Sequence, residues 1–299
     1  MEKKVLNHKR RIGLSIGVML IASFLSGLLI SYICILFGIN AKDNYLVVYL
    51  INAISIYAVG YGVLKLMLLK VEVAEPQEKK KLGFGRFLLI FLAAFGSAQL
   101  INFVTVIIIK IIELATGAKL QDDVSSLIQN SNPIINAIFV AVVGPVFEEL
   151  IMRGTLMKRL RVYGDKTAVI YTAIAFGLFH GNIYQIPYAV ALGLVFGYVM
   201  VKTNKIIYPI LLHILINSIA VIMSLMIQQE VMIATVIYVL FVFSAILFSM
   251  IYLPIKLSIG KDVKVPNEGK LEKRQLYENI GYFLTVCTVV VLTFVNAVV

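Results

Sequence analysis

Long runs of apolar residues, separated by short polar and charged segments, make up most of the chain from Gly13 onward. Each run is roughly 20 residues or longer, the length of an α-helix that crosses a hydrocarbon core about 30 Å thick. The runs do not alternate with a period of two, which excludes the strands of a membrane barrel. The pattern therefore predicts an all-α, polytopic bundle of about eight or nine transmembrane helices. We place the spans at residues 13–39, 45–69, 86–116, 133–156, 167–181, 184–201, 206–228, 231–255 and 277–298.

Two of these predicted spans have an unusual position or length. The first run follows a basic head and continues to Asn40, too long for the apolar region of a signal peptide, so we interpret it as a retained span. The run at 167–181 is short for a span. We therefore expect this segment to be partly buried in protein.

Composition supports the membrane assignment. Of the 299 residues, 60% are hydrophobic and 14% are charged, and the mean hydropathy is +0.94. A soluble domain has about a quarter of its residues charged. Both cysteines, Cys34 and Cys287, lie inside apolar runs, so we expect small buried side chains rather than a disulfide.

Charge predicts the orientation. If the N-terminus is cytoplasmic, 24 of the 27 Lys and Arg residues lie in alternate, cytoplasmic segments, and only Lys42, Lys110 and Lys119 lie on the other side. This asymmetry follows the positive-inside rule. We therefore expect a multi-pass cell-membrane protein with a cytoplasmic N-terminus. The net charge of +11 then indicates contact with anionic lipid of the bilayer and not with nucleic acid.

The first polar cluster inside an apolar run is Gly144-Pro145-Val146-Phe147-Glu148-Glu149-Leu150-Ile151-Met152-Arg153. Pro145 removes a backbone donor and should kink or widen the helix. Glu149 and Arg153 are four residues apart, so they can pair on one face. Glu148 points elsewhere and is left free to act as a general base. A snorkelling salt bridge at a helix end would explain Glu149 and Arg153 but not Glu148.

Two more clusters follow, Phe176-Gly177-Leu178-Phe179-His180 and His213-Ile214-Leu215-Ile216-Asn217. A lone intramembrane histidine is often only an interhelical hydrogen-bond partner. Together with Glu148, however, two histidines and an asparagine supply what amide hydrolysis needs, namely a base, a positioned water and donors for the tetrahedral oxygen. His180, His213 and Glu148 are equally a possible set of three zinc ligands, although the motif HExxH is absent.

The motifs EExxxR, FxxxH and HxxxN, in this order on successive membrane helices, resemble the CAAX protease and bacteriocin-processing (Abi) family, which includes the type II CAAX prenyl endopeptidases. The resemblance covers about 130–225. It implies a peptidase site in a central intramembrane cavity open to the cytoplasm, with a peptide or membrane-protein substrate. Family names include the word metalloprotease, and bacteriocin self-immunity is another association of the family.

The resemblance also implies residue roles. Glu148 would activate the attacking water, with His180 assisting. His213 and Asn217 would donate hydrogen bonds to the oxyanion. Glu149 and Arg153 would hold the helix and orient Glu148. We expect no cofactor, because pairing with Arg153 keeps Glu149 from supporting a zinc-bound histidine, which usually needs a carboxylate partner. Zinc remains the alternative.

The expected organisation is N-terminal helices at 1–130, a catalytic core at 131–228 and C-terminal helices at 229–299. Two other functions stay open. One is a non-catalytic scaffold or self-immunity protein of the same fold, which has no need of Glu148. The other is a proton-coupled transporter, which usually shows internal repeats that are not evident here.

Overall fold

The computed structural model describes residues 2–39, 44–75, 77–117, 119–120 and 131–259. The predicted ninth span at 277–298, Cys287 and Lys42 lie outside the described residues. Within the described ranges all regular structure is helical. We number the helices α1 Glu2–Leu36, α2 Tyr45–Leu68, α3 Phe84–Thr116, α4 Pro133–Tyr163, α5 Asp165–Phe179, α6 Ile186–Thr203, α7 Ile207–Gln228 and α8 Met232–Ile259.

Seven of these helices are long and apolar enough to span a membrane, which confirms the predicted polytopic helical bundle for the described part of the chain. The exception is α5, whose 15 residues extend only about 22 Å at 1.5 Å per residue. Almost half of its side chains are buried, including Ala173 and Phe176. The short segment at 167–181 is therefore partly buried in protein, as expected from its length.

The chain divides into two compact units. The first unit contains α1, α2 and the segment Lys158–Gly164 at the end of α4. There the Arg159 guanidinium donates to the Leu68 carbonyl at 3.3 Å, and the Ala74 amide donates to the Lys158 carbonyl at 2.9 Å. The three-segment organisation expected from the sequence stays a prediction.

The second unit contains α3, α4 as far as Met157, and α5 to α8. Four of its helices share one apolar core. That core is formed by Phe91, Ala94, Phe95 and Ala98 of α3, Leu192, Phe196 and Val199 of α6, Leu212 and Ile216 of α7, and Ala245 of α8.

Small residues let α5 and α6 pack closely. A Cβ atom at Gly193 would lie 2.8 Å from the Ala173 Cα, and a Cβ at Gly177 would lie 2.8 Å from the Ile186 carbonyl. Membrane helices associate through such close contacts because lipid tails are as apolar as leucine, so burial alone gives little driving force. The tight α5–α6 pair fixes the position of His180, which follows the last residue of α5.

Candidate active site

Helix α4 carries the Glu148-Glu149 pair between two stretches of wider, π-helical backbone, Phe139–Val143 and Leu150–Met157. The first of these stretches lies directly before Gly144 and Pro145. The widening predicted from Pro145 is therefore confirmed. Such wide turns are rare and occur frequently at functional sites, since they redirect the side chains that follow.

The wide turn leaves one backbone acceptor without a helical donor. The Gly144 amide donates to the Phe139 carbonyl, five residues back, and Pro145 has no amide hydrogen. Neither residue can therefore donate to the Val140 carbonyl. Instead, the side-chain amide of Asn217 on α7 donates to this carbonyl at 3.0 Å. Asn217 thus ties α7 to α4 at the point where Pro145 interrupts the helix.

Arg153 is fully buried and holds three helices together. One guanidinium nitrogen lies 2.8 Å from Glu149 Oε1, which confirms the predicted pair, and the other donates to the Gly193 carbonyl of α6 at 2.8 Å. The guanidinium carbon lies 5.0 Å from the ring centre of Phe176 and 5.5 Å from that of Phe196. The two phenylalanine rings attract the buried guanidinium cation through cation–π interactions.

His213 lies between the two carboxylates. Its Nδ1 is 3.3 Å from Glu149 Oε1, and its Nε2 is 3.7 Å from Glu148 Oε2. One oxygen of the Glu149 carboxylate therefore lies close to both Arg153 and His213. The Nδ1 contact is within ion-pair range, but its direction does not meet the geometry of a hydrogen bond.

His180 is oriented by the end of its own helix. At the end of α5 the His180 amide donates to the Gly177 carbonyl, three residues back, at 3.2 Å. It therefore does not donate to the Phe176 carbonyl, four residues back, and this carbonyl can accept from the His180 imidazole instead. His180 Nδ1 lies 2.8 Å from this carbonyl oxygen. Because a carbonyl can only accept, Nδ1 carries the hydrogen, and in the neutral ring Nε2 presents a lone pair. His180 is therefore held in the tautomer that can accept a proton.

The Phe176 ring connects the two histidines. Its edge-to-face contacts have ring-centre distances of 4.9 Å to His180 and 5.5 Å to His213. On the other side of His213, the Phe196 ring lies 5.2 Å away. Phenylalanine rings fix orientation without adding competing hydrogen-bond partners.

Four buried polar atoms at this site have no hydrogen-bond partner within the described part of the chain: Glu148 Oε2, Glu149 Oε2, Arg153 Nε and His213 Nδ1. Buried polar atoms are nearly always satisfied, so a cluster of exceptions needs a reason. These atoms are therefore available to hydrogen-bond to a water or to a polar ligand.

Among the described residues, no three His, Cys, Asp or Glu side chains converge in a way that could hold a metal ion. His213 and Glu148 approach each other, but His180 does not complete a set of three with them. The described residues thus show no set of three zinc ligands, the zinc alternative stays a prediction, and we derive no step through a metal.

The structure brings Glu148, Glu149, Arg153 and His213 into one contact network, and His180 joins it through Phe176. Two contributors from α6 were not predicted, the Gly193 carbonyl and the Phe196 ring. A carbonyl carries no sequence signal, and Phe196 is one of many apolar residues in its run. The only signal was the pair of glycines Gly193 and Gly197, whose spacing indicates a closely packed helix.

Residues 130–219 match the model of the Rce1-like family, described as type II CAAX prenyl endopeptidase Rce1-like, and this stretch contains all three polar clusters. Over this stretch the chain is similar to the CAAX protease family. It is a multi-pass membrane protein whose residues 130–219 resemble a family of membrane proteases.

Two curated relatives are similar over parts of the chain. The chain is 26% identical over 189 residues to the membrane-embedded CAAX protease MroQ of Staphylococcus aureus (strain USA300), covering 60% of this chain and 73% of that protein. It is 30% identical over 89 residues to the putative membrane peptidase YdiL of Bacillus subtilis (strain 168), covering 28% of this chain and 35% of that protein. No solved structure gives a significant match.

Proposed function

We propose that this chain is an intramembrane endopeptidase in which Glu148 activates the attacking water. The observation that carries the proposal is the position of Glu148 Oε2, which is buried, has no hydrogen-bond partner among the described residues and lies 3.7 Å from His213 Nε2. That separation lets a single water molecule hydrogen-bond to both atoms at once. The Glu148 side chain is 16% exposed, so part of it is accessible to a water or a substrate.

The proposed reaction has two steps. Glu148 Oε2 takes a proton from the water while the water oxygen bonds to the scissile carbonyl carbon, whose oxygen becomes an oxyanion. The oxyanion then reforms the carbonyl, the carbon–nitrogen bond breaks, and the proton passes from Glu148 to the leaving amine. His180 Nε2, which presents a lone pair in the neutral ring, assists the proton transfer.

The remaining residues position these groups. Glu149 and Arg153 fix α4 relative to α6 and orient His213. The second hydrogen of the Asn217 amide, which Val140 does not use, is the donor we assign to the oxyanion. We assign no cofactor to this reaction, and the substrate class is a peptide or membrane-protein segment.

Substrate trapping tests the proposal. Glu148→Gln keeps the side-chain shape and removes the base, which typically supplies about 10²–10⁴ in rate. We expect its cleavage to fall by that factor, its thermal stability to stay unchanged, and peptides to co-purify with it for mass spectrometry. The control Glu230→Gln removes an exposed carboxylate in the α7–α8 turn and should behave as wild type.

Wild-type turnover in Glu148→Gln would refute the assigned base. A scaffold or self-immunity protein would retain its function in this variant, and a transporter would show proton-coupled uptake.

A further inference from the structure

The two histidines of the site are oriented in different ways. His180 has a hydrogen bond, since its Nδ1 lies 2.8 Å from the Phe176 carbonyl oxygen. His213 has none among the described residues, because its Nδ1 contact with Glu149 lacks hydrogen-bond geometry and its Nε2 is 3.7 Å from Glu148, beyond hydrogen-bond range. The second side-chain torsion of histidine is soft. An imidazole without a hydrogen bond therefore needs neighbouring atoms to fix its plane.

Two phenylalanine rings lie against the imidazole of His213. Phe176 meets it edge to face, with an interplanar angle of 87°, and Phe196 of α6 lies at 33° to it with ring centres 5.2 Å apart. Rotation about the soft torsion would give up the facing contact with Phe196, and aromatic pairs have preferred relative orientations. Phe196 is 0% exposed and is held by the dense packing of the core. Its ring can therefore fix the plane of the imidazole.

Phe196 contacts fewer groups of the site than Phe176 does. The Phe176 ring lies against both histidines and against Arg153, so its loss would disturb all of them. The Phe196 ring lies against His213 and 5.5 Å from the guanidinium carbon of Arg153. Arg153 is already located by two hydrogen bonds of 2.8 Å, whereas His213 has no such bond among the described residues. The loss of the Phe196 ring should therefore affect His213 most.

We propose that Phe196 is a positioning residue, which holds the imidazole of His213 in the plane that directs Nε2 toward the water shared with Glu148. This rests on the proposed peptidase function, in which that water is the nucleophile. A misplacement of about 1 Å at a reacting group can cost about 10² in rate. Phe196 is fully buried and touches neither water nor substrate in the proposed reaction. Its loss should therefore lower kcat and leave KM unchanged.

Two matched variants of the full chain test the proposal by kinetics. Phe196→Leu removes the ring and keeps an apolar side chain. Phe95→Leu is the control, because Phe95 is 1% exposed in the same core and its ring contacts are with Phe91 and Phe241. We expect both variants to lower the melting temperature to a similar extent. In Phe196→Leu, kcat should fall about tenfold to 10²-fold at unchanged KM, and in Phe95→Leu both constants should stay at the wild-type values. Phe196→Met, with its flexible side chain, replaces Phe196→Leu if the latter does not accumulate.

Histidine NMR in detergent supplies a readout that does not depend on activity. The chain has three histidines, so selective labelling of the imidazole carbons leaves few signals to assign. The signal of His213 is the one lost in His213→Gln. We expect its order parameter, which reports motion of the imidazole on the ps–ns timescale, to fall in Phe196→Leu. In Phe95→Leu it should stay at the wild-type value, because the Phe95 ring does not face His213.

The outcomes separate this inference from the proposed function. Equal kcat values for Phe196→Leu and Phe95→Leu would overturn the positioning role, as would a raised KM at unchanged kcat. An unchanged order parameter of His213 in Phe196→Leu would overturn it as well. If Glu148→Gln cleaves as fast as wild type, the proposed peptidase mechanism fails instead, and the NMR comparison still decides whether Phe196 fixes the imidazole.

Discussion

The Asn217 side chain on α7 donates to the Val140 carbonyl on α4 at 3.0 Å, and this bond replaces the backbone donor that Pro145 lacks. A residue that we propose as an oxyanion donor therefore also supplies the missing backbone donor in the helix that carries the proposed base. The two roles predict different responses to substitution.

Asn217→Ala should lower both stability and activity. Leaving the partly buried Val140 carbonyl without a donor costs up to about 1–3 kcal/mol, and losing one oxyanion donor costs about 10²–10³ in rate. Adding Pro145→Ala supplies a backbone amide for Val140, so the double variant should regain stability but not activity. Thermal unfolding in detergent and cleavage of a quenched fluorescent peptide measure the two effects. Recovery of neither, or of both, would contradict the separation of roles.

Arg153→Ala should strongly reduce folded yield as well as activity. Its loss leaves the buried Glu149 carboxylate without a cation, and breaking a buried ion pair costs about 3–5 kcal/mol. Arg153→Lys should also reduce the folded yield, because a lysine ammonium does not have the two separate nitrogen donors that bond to Glu149 and to the Gly193 carbonyl. The control Lys202→Ala removes an exposed cation from α6 and should give normal yield.

The double variant Arg153→Met with Glu149→Leu removes both buried charges and should recover yield without activity. Size-exclusion chromatography of the purified variants measures folded yield. A normal yield and activity in Arg153→Ala would show that the pair has no structural role.

Gly193→Ala should destabilise the α5–α6 pair. The added Cβ would lie 2.8 Å from the Ala173 Cα, and relieving such an overlap costs about 1–3 kcal/mol. The shift of α6 would also move the carbonyl that holds Arg153, so activity should fall. Gly85→Ala is the matched control, since a Cβ at this helical glycine meets nothing within 4 Å. Equal melting temperatures for the two variants would argue against close packing at Gly193.

Purified, active protein should contain no stoichiometric zinc. Asn217, one helical turn from His213, suits a hydrogen-bond donor and is a poor zinc ligand, and the described residues assemble no set of three ligands. Elemental analysis of active protein checks this prediction. About one zinc per chain, lost with activity on chelation and restored by adding zinc, would show instead that His180, His213 and one glutamate bind metal.

The sequence alone determined the class of protein, the described membrane helices and the polar residues of interest. Those inferences depend on run length and on i, i+4 spacing, which are local, so the Glu149–Arg153 pair and the widening at Pro145 were predictable. Local spacing does not say which helices become neighbours. Only the tertiary structure placed His213 between both carboxylates, assigned Asn217 to Val140 and brought Gly193 and Phe196 of α6 to Arg153. These contacts arise from close packing of small residues and from backbone carbonyls, and neither leaves a distinctive pattern in an apolar run.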